Sequence, residues 1–253
     1  QWRDVPPADT SVILINIGPQ SRHVIAQQIN MISRFKPKVL GLDTYFGVLK
    51  EDTLGDYMLA DALANAPGMI MYAKLIDPDS NGVWSDVIHS NEMFTQDHET
   101  ASVNLIIEDA GAEQFNFKTT RSFFPQEKLM NSETGEIDTV LAFGVALANH
   151  YAPEKVERFL ARGYEEELIN YYGNVVDFGR TRLGTRYFAL DWYQVLDSTM
   201  FWPELFKDKI VIMGFLGEDF DDTRSFEDKY FTPLNTKYTG RANPDMFGMV
   251  VHA

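Results

Sequence analysis

Short apolar runs alternate with amphipathic segments along the first part of the chain. Residues 11–17 form a continuous β-branched run, which is typical of a strand covered on both faces of a sheet. A helix is predicted between Ser21, which can cap it, and Pro37, which prevents its continuation, because apolar residues recur there at spacings of four and three. Residues 38–45 have the pattern of a second buried strand. This order predicts a βαβ unit, which nearly always crosses over right-handed into a parallel sheet.

The same alternation continues toward the end of the chain, interrupted by one long polar excursion at residues 77–100. The predicted elements after the βαβ unit are a helix at 54–66, a strand at 69–76, an antiparallel strand pair at 101–108 and 115–124, a helix capped by Asp138 that runs to about Tyr151, a helix from Pro153 to Gly163, weaker strands at 168–172 and 187–190, and a strand at 210–215. We therefore expect an α/β fold: a single domain, residues 1–253, with a mainly parallel central sheet flanked by helices, plus an antiparallel strand pair.

Composition narrows the classes of function. The chain has 22 lysine and arginine residues against 37 aspartate and glutamate residues, a net charge of −15. Nucleic-acid binding depends on basic side chains that displace counterions, so no nucleic-acid partner is expected. The absence of cysteine excludes disulfides, thiol catalysis and zinc–thiolate sites. No apolar segment approaches the roughly 20 residues of a membrane span.

Candidate binding groups lie where the predicted strands end. Asn16 ends the first strand, Asp43 ends the second, and the last strand leads into the acidic loop at 218–222. Ligands collect beyond the carboxyl ends of parallel strands, so these groups could bind a polar ligand or, through Asp43, Asp221 and Asp222, a divalent cation. A helix-capping carboxylate and a solvated acidic loop are the structural alternatives. The pattern favours these alternatives, so we predict no cofactor and keep Asp43, Asp221 and Asp222 only as candidate metal ligands.

Sequence motifs of enzymes are missing. The chain contains no G-x-G-x-x-G, no G-x-x-x-x-G-K-[ST] and no G-x-S-x-G. Its five histidines are scattered, and His252 is typical of a structural or interface histidine. The aromatic stretch at 187–202 could line an apolar pocket, but its pattern favours packing of a helix against the sheet. We therefore predict no catalytic residues and no enzyme activity.

Several segments, in a fixed order, resemble the CHASE2 family of extracytoplasmic sensor domains. The resemblance is carried by Phe35-x-Pro37-Lys38-Val39-Leu40-Gly41-Leu42-Asp43-x-x-Phe46, Asp56-x-x-Leu59-Ala60-x-Ala62-Leu63, Ser102-Val103-Asn104-Leu105 with Arg121, residues 143–148, Ile169-Asn170-Tyr171, residues 205–214, Asp222, Phe231-Thr232-Pro233-Leu234 and Gly248-x-x-x-His252-Ala253. Two departures stand out. Asn16 replaces an aspartate common in the family, and the family's W-P-W/R segment is replaced by residues 18–22.

The resemblance implies a sensory input module on the extracytoplasmic (periplasmic) face of a bacterial cell membrane. In that family the His-Ala pair is followed by a membrane helix, so the resemblance implies an anchored parent protein with a signalling output domain. The expected partners are an unknown small solute or an envelope protein and the parent's own transmembrane helices, with a homodimer as an open alternative. The expected ligand-binding residues are Asn16, Asp43, Phe46, Asp222, Thr232 and His252.

Two other functions stay open at this point. The first is a structural or protein-interaction module of the envelope without a small ligand, which a flat apolar patch would favour and a deep pocket at the edge of Asn16, Asp43 and Asp222 would disfavour. The second is a metal-assisted hydrolase that uses the strand-end carboxylates.

Overall fold

The structure is a computed structural model that describes residues 9–95, 98–106, 119–132, 134–171, 173–175, 186–220, 225, 227–235 and 244–253. Its strands are β1 (Asp9–Asn16), β2 (Val39–Asp43), β3 (Met69–Pro78), β4 (Val83–His89), β5 (Glu99–Ser102), β6 (Ser122–Phe123), β7 (Gln126–Met130), β8 (Ile137–Leu141), β9 (Glu167–Leu168), β10 (Tyr187–Leu190), β11 (Ile210–Gly214), β12 (Lys229–Tyr230) and β13 (Met246–Phe247). Its α-helices are α1 (Arg22–Ser33), α2 (Thr53–Ala64), α3 (Glu92–Thr95), α4 (Phe143–Tyr151), α5 (Pro153–Leu160), α6 (Trp192–Leu196) and α7 (Gly248–His252), and a short 3-10 helix spans Pro203–Leu205.

One large sheet organises these elements. Its strand order is β10-β1-β11-β2-β3-β4-β7-β8, with β5 paired to β3 beside β4. All neighbours from β10 to β3 run parallel, and so does the β3–β5 pair, whereas β4 is antiparallel to β3 and β8 is antiparallel to β7. Two small antiparallel pairs, β12–β13 and β6–β9, lie outside this sheet. The expected α/β architecture with a mainly parallel sheet and separate antiparallel pairing is confirmed.

Apolar cores form on both faces of the sheet. On one face, helices α1 and α2 pack through side chains such as Ile29 and Leu59, both fully buried. On the other face, α4 and α7 pack through Phe143 and Met249, which are also fully buried. Gly41 lets α4 approach closely, because a Cβ atom there would lie 2.8 Å from the Phe143 ring. Burying each large apolar side chain stabilises the fold by roughly 1.5–3 kcal/mol, so both cores contribute to holding the sheet.

Most predicted elements of the parallel sheet agree with the structure within a few residues, but three predictions were wrong. The helix predicted from Asp138 begins only at Phe143, because residues 137–141 pair along their whole length with β7 as strand β8. The polar excursion contains strand β4, whose side chains are mostly exposed and therefore show no apolar periodicity. The antiparallel pair predicted at 101–108 and 115–124 is not formed by its described residues, 101–106 and 119–124, whereas residues 107, 108 and 115–118 lie outside the described residues. Its described ends pair elsewhere, β5 with β3 and β6 with β9.

Candidate functional site

The carboxyl ends of three neighbouring strands bring the predicted strand-end residues into one row. Asn16 of β1 pairs in register with Gly214 of β11, and Gly214 pairs with Asp43 of β2. Side chains alternate along a strand, so all three positions belong to the face that packs against α4 and α7. Tyr72 extends the row on β3, because it follows Met71, the register partner of the residue before Asp43. The sheet thus places Asn16, Asp43 and Tyr72 at one edge.

Within this row, Asn16 is occupied by the protein itself. Its side-chain nitrogen donates to the Asp191 carboxylate at 2.8 Å and to the Gly217 carbonyl at 3.1 Å. Its side-chain oxygen accepts from the backbone N–H groups of Gly18 at 3.0 Å and Leu216 at 2.9 Å. The residue is fully buried. Asn16 therefore fastens the loops that follow β1 and β11, and its amide group has no hydrogen-bonding capacity left for a ligand.

Asp43 is different, because its carboxylate has no hydrogen-bond partner among the described residues. Burial raises its pKa to about 7. Asp228, which precedes β12, has its pKa raised to about 7 by burial and by the negative charges of Asp43 and Glu227. Part of Asp228 is exposed to water. The neighbouring protein atoms nevertheless displace some of the water that would stabilise its charged form. The negative charge of Asp43 therefore contributes to the raised pKa of Asp228.

Tyrosines surround these two carboxylates. Burial and the charges of Asp43 and Asp228 raise the pKa of Tyr72, and burial together with the same charges raises the pKa of Tyr230 to about 12. The ring of Tyr45 lies 5.9 Å from that of Tyr72, centroid to centroid. We call Asp43, Tyr72, Asp228 and Tyr230 the acidic–tyrosine cluster. It offers hydroxyl donors and carboxylate acceptors to a polar ligand.

Helix α7 begins against this cluster. The Gly248 N–H donates to the Asp228 carbonyl at 2.9 Å. A Cβ atom on Gly248 would lie 3.1 Å from the Tyr230 ring and 3.2 Å from the Asp228 carboxylate. A side chain at this position would require the Tyr230 and Asp228 side chains to shift by a few tenths of an ångström, so the start of α7 packs directly on the cluster.

The structure places Phe46 away from this row, in the opposite core. Its ring packs on Phe94, and the Arg22 guanidinium lies 5.5 Å from the Phe46 ring centroid and 4.9 Å from that of Phe94. Arg22 also forms a buried ion pair with Asp56. The Phe46 N–H donates to the Ser90 hydroxyl at 2.9 Å. Phe46 thus holds the loop after β2, and none of these contacts faces the acidic–tyrosine cluster.

Thr232 and Asp245 are joined by two hydrogen bonds, which form a local clamp. The Asp245 carboxylate accepts from the Thr232 N–H at 2.8 Å and from its hydroxyl at 2.6 Å. The Asp245 carbonyl accepts from the Asn174 side chain at 2.6 Å. This clamp fixes the segments that flank β12 and β13.

The predicted residues Asp221 and Asp222 lie outside the described residues, and among the described residues no group of three or more acidic or histidine side chains could hold a metal ion.

His252 faces a cavity of about 440 Å³ on the α4 side of the sheet. Burial lowers the pKa of His252 to about 4, so its imidazole is neutral at physiological pH. The ring packs on Phe143 at 5.6 Å between centroids. Helix α4 lies so near that a Cβ atom on Gly144 would be 2.5 Å from the His252 carbonyl oxygen. The last turn of α7 therefore packs directly on α4 and also lines the cavity.

Apolar side chains form the floor of this cavity. Val145 of α4, Val156 of α5, Tyr187 of β10 and Val250 and Val251 of α7 are all buried and line it. Volumes of 300–1,000 Å³ with mostly apolar walls and a few polar groups are typical of small-molecule sites. This cavity has that character, and it is lined by both halves of the chain.

The rim of the cavity is exposed to solvent and carries two polar side chains. Lys155 of α5 and Asn170, which follows β9, line it together with Leu168, whose side chain is 80% exposed. Sequence reasoning missed Lys155, Tyr72 and Asp228 as site residues. The alternation of side chains along β3, the strand beside Asp43, could have indicated Tyr72. No sequence signal indicates Asp228 or Lys155.

One comparison with known proteins gives a family match over nearly the whole chain. The CHASE2 domain family model matches residues 8–253. No curated protein matched this chain. No solved structure matched it either. Across the described part of the chain, no helix is both long enough and apolar enough to cross a membrane.

Proposed function

The chain belongs to the CHASE2 family of extracytoplasmic sensor domains, and from this membership we propose that it is the non-enzymatic input domain of a membrane-anchored bacterial signalling protein. It binds a small solute in the cavity of about 440 Å³ and passes the occupancy of that cavity to a membrane helix that follows Ala253 in the parent protein.

The shared wall between the cavity and α7 carries this proposal. Val250, Val251, His252 and Ala253 line the cavity, and they are the residues that would connect the domain to a following membrane helix. A ligand shifts a conformational equilibrium only by its difference in affinity for the two states. A ligand that touches α7 has that difference whenever α7 moves relative to α4 and α5.

A covalent occupant tests the coupling whichever solute the cavity binds. The chain has no cysteine, so a cysteine introduced as Ala148→Cys, which lines the cavity from α4, is the one thiol of this domain, and the unsubstituted parent protein treated in the same way reports the effect of any thiol elsewhere. The probe is N-ethylmaleimide, applied to the parent protein in membrane vesicles while its output activity is recorded. We expect alkylation at Ala148→Cys to change the output at least about twofold, which corresponds to a shift of roughly 0.4 kcal/mol in the signalling equilibrium.

The matched control is Ala64→Cys on α2, an exposed helical alanine on the other face of the sheet. Alkylation at this position should leave the output unchanged. Complete alkylation of Ala148→Cys, measured by mass spectrometry, without any change in output would contradict the proposal. An equal change in both variants would contradict it as well, because the effect would then not come from the cavity.

A further inference from the structure

The charge around the cavity differs from that of the rest of the chain. The protein has 37 aspartate and glutamate residues and a net charge of −15, yet none of the described residues that line the cavity is acidic. Lys155 is the one cationic side chain among them. Within the described part of the chain, its ammonium group has no ion-pair or hydrogen-bond partner. A lysine without a partner among the described residues therefore lines this cavity of an acidic protein.

Polar and apolar groups are also separated by depth in the cavity. The floor is buried and aliphatic or aromatic, whereas Lys155 and the Asn170 carboxamide lie at the exposed rim. Leu168 lies at the rim with 80% of its surface in water, and a bound apolar group would cover it. An occupant must therefore place an apolar body in the floor and a hydrogen-bonding, negatively charged group near Lys155.

From this arrangement we infer that the cavity, the ligand site of the proposed function, binds small apolar carboxylic acids as their carboxylates, with the carboxylate group against Lys155 and Asn170. The volume sets the size of such a ligand. About 440 Å³ holds about 15 water-sized groups at roughly 30 Å³ each. This fits a medium-chain fatty acid or an arylalkanoic acid and is too small for a two-chain lipid.

Two ligands that differ only in the head group test this inference. Decanoate and decanamide are titrated into the full 253-residue chain by isothermal titration calorimetry. We expect decanoate to bind about fivefold more tightly, the size of effect that an exposed charge pair provides, and we expect this advantage to shrink as salt is added. Lys155→Met keeps the aliphatic part of the side chain and should bring the affinity for decanoate down to that for decanamide.

Two control variants locate the effect. Lys207→Met removes an exposed lysine that does not line the cavity and should leave both affinities unchanged. Ala148→Phe fills the cavity and should abolish binding of both ligands, and Ala64→Phe adds the same ring to the exposed face of α2 and should not.

The outcomes separate the ligand class from the proposed function. Equal affinities for decanoate and decanamide, or an unchanged affinity for decanoate in Lys155→Met, would overturn the carboxylate assignment and leave the cavity as a binding site. Absence of binding by either compound at millimolar concentration would overturn the ligand class. The alkylation experiment at Ala148→Cys uses neither compound, so failure there counts against the proposed function alone.

Discussion

Replacing Asp43 by asparagine should stabilise the protein at high pH and leave its stability unchanged at low pH. Asn has nearly the shape of a neutral carboxylic acid, so Asp43→Asn imitates the protonated side chain at every pH. Because burial raises the pKa of Asp43 from 3.8 to about 7, the folded protein binds a proton here more tightly than the unfolded chain does. The stability that this proton provides is fully present below about pH 4 and is lost as the pH rises through about 7.

The size of the effect follows from the pKa. At 1.36 kcal/mol per pKa unit, the change from 3.8 to about 7 corresponds to about 4 kcal/mol. Water reaches part of the half-buried side chain, so we expect about 2–4 kcal/mol. The difference in free energy of unfolding between Asp43→Asn and the wild type should rise from near zero at about pH 4 to this value at about pH 8.5.

Urea denaturation of both proteins across this pH range measures the difference. Taking the difference matters because His252, with its pKa lowered to about 4, makes the stability of the wild type rise between about pH 4 and 6.5, against the trend from Asp43. That contribution is common to both proteins and cancels. Asp138→Asn, at an exposed position of β8, makes the same chemical change away from the sheet edge and is the control for the substitution itself. A difference for Asp43→Asn that stays constant from low to high pH would show that burial does not raise the pKa of Asp43.

Three further predictions concern packing and charge. Asn16→Ala should lower the free energy of unfolding by about 2–4 kcal/mol, because it leaves buried donors and acceptors unpaired, and an unchanged urea midpoint would contradict this. Gly144→Ala should lower it by about 1–3 kcal/mol, because its methyl group meets the His252 carbonyl, and a melting temperature equal to that of the wild type would be inconsistent with that contact. The pKa of Asp56 is lowered because, against the effect of burial, Arg22 donates a hydrogen bond to it. Its ionised form therefore stabilises the protein above about pH 4, and Asp56→Asn should remove part of the loss of stability in acid, which urea titrations below about pH 4 would detect.

The parallel part of the sheet could be predicted from the sequence because its strands are buried on both faces. The apolar runs of β1, β2 and β11 are short and continuous, a pattern typical of buried strands. The helices between them show apolar residues at helical spacing. Strand β4 could not be predicted, because ladder hydrogen bonds hold it to β3 with little apolar burial. The helix boundary at Asp138 was wrong because β-branched residues and a possible cap compete there, and pairing with β7 decided the outcome.

The row at the sheet edge was predictable because it lies on strands, and His252, which lines the cavity from α7, was expected only from the family resemblance. Asn16 and Asp43 were expected at one sheet edge because parallel strands end together, and register places them there. Their opposite roles could not be predicted, because the role of Asn16 depends on loops that return to it from residues 191 and 216–217. The same holds for Asp228 and Lys155, which reach their positions only through tertiary folding.

Helix α7 is five residues long, and it touches both candidate sites. Its first residue, Gly248, contacts Asp228 of the acidic–tyrosine cluster, and its last turn lines the cavity. A ligand that displaces α7 from Asp228 would therefore change the surroundings of this carboxylate and, with them, its proton binding. Thermodynamic reciprocity requires that proton binding at this group alter the ligand's affinity by the same factor. The affinity for the ligand would then depend on pH, so a dose–response curve recorded at a single pH would describe only part of the response.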